Sequence, residues 1–159
     1  MCGIVGFVND KDNKKTIINT MMDRIVHRGP NSSGEYIDKH VALGFRRLSI
    51  IDLEGGTQPI YNEDRTKIII FNGEIYNYQP LREELIAAGH VFQTHADTEV
   101  LLHGYEEWGT ELLQKIRGMF AFAIWDNEKN ELFGARDHFG IKPYYYAEMN
   151  GTFMFGSEI

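Results

Sequence analysis

The spacing of apolar residues changes several times along the chain, and each change predicts an element. Residues 3–8 (GIVGFV) are a brief, β-branched apolar run, the pattern of a buried strand. Ile17, Ile18, Met21, Met22, Ile25 and Val26 recur at helical spacing and predict an amphipathic helix of about three turns. Gly29 and Pro30 end it. Strands over 35–37 and 41–45 flank a turn at Asp38, Lys39 and His40. Residues 46–52 continue in extended style, and 54–59 read as a Gly-rich loop. Lys67 to Phe71 predicts a strand running straight into Asn72, Gly73 and Glu74.

The second half begins helical. Pro80 suits a first helical turn and Gly89 a helix end. Asp97 and Thr98 open another helix, with Leu101, Leu102, Tyr105 and Trp108 on one stripe, and Leu112, Leu113 and Ile116 suggest a further piece. Residues 119–126 are apolar on both faces, which predicts a central strand covered on both sides. Strands follow over 131–136, 144–148 and 152–155, the last two joined by the hairpin signal Asn150-Gly151. Such a pattern predicts stacked sheets with helices outside, α/β or α+β.

Composition narrows the class. The chain has 159 residues, 43% hydrophobic and 25% charged, as in a globular domain with a real core. Its net charge of −7 argues against a general nucleic-acid binder. No run approaches the roughly 20 apolar residues of a membrane span, and the N-terminus lacks a signal-peptide layout. One cysteine excludes an internal disulfide framework and fits a cytoplasmic, reducing setting. The chain reads as one piece of a longer protein.

That cysteine is Cys2. As an arbitrary cysteine it would be a small buried hydrophobe. Removal of Met1, however, would leave it with a free α-amino group, whose reference pKa of about 7.7–8.0 suits a base beside its own thiol. Asn72-Gly73 has two readings. It is a hairpin marker, and taken alone that is the better reading. It is also a pair able to offer a side-chain amide and a backbone N–H to one oxyanion. Arg46 and Arg47 are either a solvated strand face or include a fork for a carboxylate. Asp97 is either a helix N-cap or a carboxylate that holds an ammonium group. The six histidines show no zinc-binding spacing, so no metal is expected, and no phosphate-binding glycine loop is present.

Taken in order, several stretches carry a resemblance. They are MCGIVG at 1–6, HRGP at 27–30, RLSIID at 47–52, Gln58-Pro59, NGEIYN at 72–77, DTEV at 97–100, GMFAFAIWD at 118–126, Arg136-Asp137, GIKP at 140–143 and Ser157-Glu158. The ordered set covers the whole chain and resembles the glutaminase domain of class II glutamine amidotransferases, most closely the asparagine-synthetase type. The resemblance implies one domain over 1–159 with an α+β fold, the four-layer αββα N-terminal-nucleophile hydrolase sandwich.

It also implies roles. Cys2 would attack the side-chain amide of L-glutamine, its α-amine would relay protons, and Asn72 with the Gly73 N–H would hold the oxyanion. Arg47 would take the α-carboxylate, and Asp97, helped by Glu74, the α-ammonium. Leu48, Ser49, Ile50 and Ile51 would line the slot, and the loop at 27–30 would close over substrate. Asn31 stands where the family commonly has Asp. No cofactor is implied for this domain; ATP and Mg belong to a C-terminal synthetase domain that lies outside the chain and would receive the ammonia. A homodimer is among the assemblies the resemblance allows, while nucleic acid and membrane are not partners. The acceptor could be aspartate, or a cell-wall or antibiotic precursor. A glutamine-binding module without catalysis is the reading if Met1 is retained.

Overall fold

The computed structural model describes residues 2–49 and 57–159. The first run is a strand, β1 (Gly3–Val8), followed by the helix α1 (Lys14–Arg24) and a single 3₁₀ turn at Val26–Arg28. Two strands come next, β2 (Ser32–Ile37) and β3 (Val41–Arg47). The strand β4 (Ile60–Tyr61) has only two residues and no periodic signal to announce it. Then come β5 (Lys67–Ile75), α2 (Tyr78–Ala87), α3 (Asp97–Trp108), a second 3₁₀ turn and the short α4 (Leu112–Lys115). Strands β6 (Gly118–Asp126), β7 (Glu131–Arg136), β8 (Tyr145–Met149) and β9 (Thr152–Gly156) complete the chain. At the β8–β9 hairpin Asn150 and Gly151 have φ of 53° and 74°, the left-handed pair its two-residue turn requires.

The strands form two antiparallel sheets, ordered β2-β3-β1-β9-β8 and β4-β5-β6-β7. Strand alternation assigns their side chains to layers. Ile68 and Ile70 of β5, and Ala121, Ala123 and Trp125 of β6, meet Ile4, Leu43 and Phe45 between the sheets. Their neighbours Ile69, Phe71, Phe120, Phe122 and Ile124 face α2 and α3. On the far side, Val5, Phe7 and Ala42 meet Ile18 and Met22 of α1 and Ile25 just after it. The layers are therefore helix, sheet, sheet, helix, and the fold is α+β, the four-layer αββα sandwich. Among the described residues no helix is long and apolar enough to cross a membrane.

Two contacts fix which ends of the sheets coincide. At the β2–β3 turn Asp38 accepts the Trp125 indole N–H at 2.8 Å, and the Tyr36 hydroxyl meets Asn127. Trp125 sits near the end of β6 that pairs with the start of β5, since Lys67 lies opposite Asp126. The opposite ends must then coincide as well. These are the start of β1 and the end of β3 in one sheet, and the end of β5 and start of β6 in the other. Gln58 agrees, because its backbone packs against Gly34, opposite Phe45, while its Oε1 accepts the Phe71 N–H at 2.6 Å.

Candidate active site

Cys2 lies one residue before the first ladder pair, Gly3 with Arg46, so it stands beside the end of β3. Alternation puts its half-buried side chain on the face between the sheets, packed against that core. Its Sγ receives the Leu48 N–H at 3.4 Å and lies 3.9 Å from the Leu48 carbonyl. The Cys2 carbonyl accepts the Arg28 Nε–H at 3.2 Å.

The two arginines of β3 part company. Arg46 alternates onto the α1 side, where it donates to the Met22 carbonyl and pairs with Asp23 at 2.8 Å. Arg47 alternates with Val41, Leu43 and Phe45 onto the inter-sheet face, the face of Cys2. Its backbone carbonyl accepts the Asn31 N–H, and Asn31 Oδ1 in turn accepts the Ser49 N–H at 3.0 Å. An amide at position 31 thus serves as a loop acceptor. Ile50 and Ile51, expected to line the slot, fall outside the described residues.

Asn72-Gly73 is not a turn. Strand β5 runs through both residues, with Gly73 opposite Phe120. The pairing with β6 and the covered faces outweigh the local turn preference. Gly73 is required by close approach: a Cβ there would lie 2.1 Å from the Met119 carbonyl oxygen. Asn72 alternates with Ile68 and Ile70 toward the inter-sheet layer and is 3% exposed. Its Nδ2 is buried and has no hydrogen-bond partner among the described residues. Leaving a buried amide donor unmet costs about 1–3 kcal/mol, so a donor held this way needs an explanation.

Asp97 is the first residue of α3 rather than the cap before it; Ala96 holds that place and gives no side-chain cap. The Asp97 Oδ2 accepts the Ile75 N–H at 2.8 Å, which ties α3 to the end of β5, next to Glu74. Burial pushes its pKa up, the hydrogen bonds opposing and the Glu74 charge adding to the rise. A partly buried carboxylate in this state gains from an arriving cation. Cys2, Arg47 and Leu48 thus stand at one end of the first sheet, and Asn72, Gly73, Glu74 and Asp97 at the matching end of the second.

This arrangement can be set beside known proteins. The family described as Glutamine amidotransferase domain matches residues 1–159. The chain belongs to this family. It is 54% identical to asparagine synthetase [glutamine-hydrolyzing] 1 of Bacillus subtilis (strain 168), over 99% of this chain and 26% of that protein. It is 46% identical to asparagine synthetase [glutamine-hydrolyzing] 3 of the same organism, over 100% of this chain and 27% of that protein. The chain thus spans about a quarter of the length of these relatives. Among solved structures, glutamine phosphoribosylpyrophosphate amidotransferase from B. subtilis superposes with a TM-score of 0.78 at 21% identity, covering 98% of this chain and 42% of that one. That likeness is one of fold, the four-layer αββα sandwich.

Two features of this amidotransferase domain escaped residue-level reading. Gln58 supplies an acceptor to β5 where β4, which pairs only Ile60 and Tyr61, has ended. Glu158 reaches back to the loop at 27–28, with Oε1 2.9 Å from both His27 Nε2 and Arg28 Nη1. The stretches Gln58-Pro59 and Ser157-Glu158 were the only signals for them, and neither predicts a partner. A third cluster lies apart: His90, His103 and Glu106 bring potential ligand atoms within 4.8 Å of one another. Their groups are already engaged, His103 Nδ1 with Glu106 at 2.7 Å and His90 Nε2 with Glu107 at 2.9 Å.

Proposed function

We propose that this domain hydrolyses L-glutamine to glutamate and ammonia, with Cys2 as nucleophile. The observation that carries the reading is Asn72: a buried amide donor with no partner, on the same inter-sheet face as Cys2. A donor left open in this way gains most when an oxyanion forms in front of it. The names of the relatives, which call them glutamine-hydrolyzing, support the same substrate.

In the proposed sequence Met1 is removed and the α-amine of Cys2 takes the thiol proton. Sγ attacks the side-chain carbonyl carbon of glutamine, whose oxygen becomes an oxyanion between Asn72 Nδ2 and the Gly73 N–H. The proton passes to the amide nitrogen, the C–N bond breaks and ammonia leaves a γ-glutamyl thioester. Water, deprotonated by the same amine, attacks the thioester and releases glutamate and the thiol. Arg47 grips the α-carboxylate, Asp97 and Glu74 the α-ammonium, and backbone groups from Leu48 onward line the slot. No cofactor is needed for these steps. The ammonia would serve an ATP- and Mg-dependent synthetase domain, with aspartate as acceptor and asparagine as product, in the cytoplasm. Asparagine formation from aspartate, ATP and glutamine by the protein together with such a domain decides the acceptor.

Cys2→Ala is the primary test. Ammonia release from glutamine should fall to the uncatalysed level, and intact mass should show that Met1 is absent from the active protein. Release at the parental rate in Cys2→Ala overturns the proposal.

A further inference from the structure

Cys2 lies outside the β-ladder, and the peptide joining it to Gly3 is held at its carbonyl by the hydrogen bond from Arg28 Nε, beside the Leu48 N–H contact to Sγ. Among the described residues Arg28 in turn pairs with one anion, Glu158. The Glu158 Oε1 accepts from Arg28 Nη1 and from His27 Nε2, each at 2.9 Å. The remaining nitrogen, Nη2, is buried without a partner. The Arg28 side chain is 12% exposed and its stem lies against Gly3, where an added Cβ would sit 3.4 Å from the Arg28 Cβ and Cδ.

Glu158 is anchored at its other end. Ser157, 1% exposed, is fixed by two hydrogen bonds to one residue of β1: its N–H donates to the Ile4 carbonyl, and the Ile4 N–H donates to its Oγ, both at 2.9 Å. A continuous path therefore runs from β1 through Ser157 and Glu158 to Arg28, and back to the carbonyl of Cys2.

We infer that Glu158 is a positioning residue for Cys2: its carboxylate fixes Arg28 on the Cys2 carbonyl and so sets the rotation that aims the thiol and α-nitrogen. The inference rests on the glutaminase reading for its kinetic consequences. Removing the carboxylate frees the Arg28 guanidinium to swing toward water, and Cys2 then samples orientations in which Sγ no longer faces substrate. The thiol, now half-buried against Leu48, also becomes easier to reach.

The test compares Glu158→Ala, Glu158→Gln, Arg28→Met and the Arg28→Met/Glu158→Ala double variant. Glutamine hydrolysis and the rate of Cys2 alkylation by iodoacetamide are measured for each. Glu158→Ala should lower kcat about tenfold, the scale of one charge-assisted hydrogen bond, with KM within about twofold. Glu158→Gln, which keeps an acceptor at the same reach, should recover to within about threefold of the parent. The double variant should be no slower than Arg28→Met, because Glu158 acts through Arg28. Alkylation of Cys2 should be at least about threefold faster in Glu158→Ala, since the thiol is less shielded. An unchanged kcat, a loss confined to KM, or effects that multiply in the double variant overturns the inference. Should the parent and Cys2→Ala release ammonia equally, the glutaminase reading falls while alkylation still judges Glu158: an unchanged alkylation rate refutes its role.

Discussion

Two polar clusters of this domain are built in opposite ways. At the sheet ends, Asn72 keeps a buried amide nitrogen without a partner, and burial holds the Asp97 carboxyl above its ordinary range. Along α3, Glu99 is as buried as Asn72, at 3% exposed, yet it accepts the Gln93 and Thr94 N–H groups at 2.7 Å and the Thr94 hydroxyl at 2.6 Å. His103, 1% exposed, sits between Glu106 at 2.7 Å and Glu99 at 3.4 Å. Despite the cost of burial, the hydrogen bonds hold Glu99 down to about 2, and the two carboxylates hold His103 up to about 9. The α3 cluster matches its charges internally, His103 Nε2 meeting Glu99 as an ion pair without hydrogen-bond geometry, and it stabilises the fold. The sheet-end cluster is incomplete, as the proposed glutamine site requires. Buried polar groups are thus a poor guide to function until their partners are counted.

The contrast is open to direct attack. Asn72→Ala should lower glutamine hydrolysis by roughly 100- to 1000-fold, as loss of an oxyanion donor does, without lowering the thermal midpoint. A loss below tenfold, or a destabilised fold, would make Asn72 structural and erase the distinction. Glu99→Ala should do the reverse. Removing one partner of a buried ion pair should cost on the order of 3 kcal/mol in urea unfolding and leave KM for glutamine within about twofold. A kinetic defect without a stability loss would place Glu99 with the substrate machinery.

The smallest effect is a pH signature of the α3 pair. Glu99 is lowered from 4.5 to about 2, so its contribution is present above 4.5 and is lost as pH falls through 2. His103 is raised from 6.5 to about 9, so its contribution is fully present below 6.5 and is lost as pH rises through 9. Both contributions are complete between about 4.5 and 6.5. Unfolding of the parent should therefore weaken between pH 6.5 and 9, and His103→Gln should flatten that slope. An equal slope in both proteins would assign the pH dependence elsewhere.

Much of this was legible in the sequence, for identifiable reasons. Strands β1 and β5 were announced by β-branched runs, β6 by a run apolar on both faces, and α3 by its apolar stripe, because burial imposes a pattern on composition. The even–odd split of Ile68 to Phe71 over two layers was not visible, since both neighbours are apolar and the run reads as one block. Arg46 and Arg47 were ambiguous as a pair and became distinct once the strand's faces were known. Asn72-Gly73 carried a local turn signal that the sheet overrode. Glu158 was silent because its partners lie 130 and 131 positions away, and no local pattern encodes such a contact.

The alternation in β5 has an evolutionary corollary. From Ile68 to Asn72 each position carries an address: Ile68, Ile70 and Asn72 go to the layer between the sheets, Ile69 and Phe71 to the helices. Substitution changes the occupant of one address and can be absorbed by repacking. Insertion or deletion of a single residue reassigns every address beyond it, sending the amide of position 72 toward α3 and a bulky neighbour into its place. A side-chain exchange in β5 should therefore be tolerated far more often than a one-residue change of length, which the connections between elements can absorb.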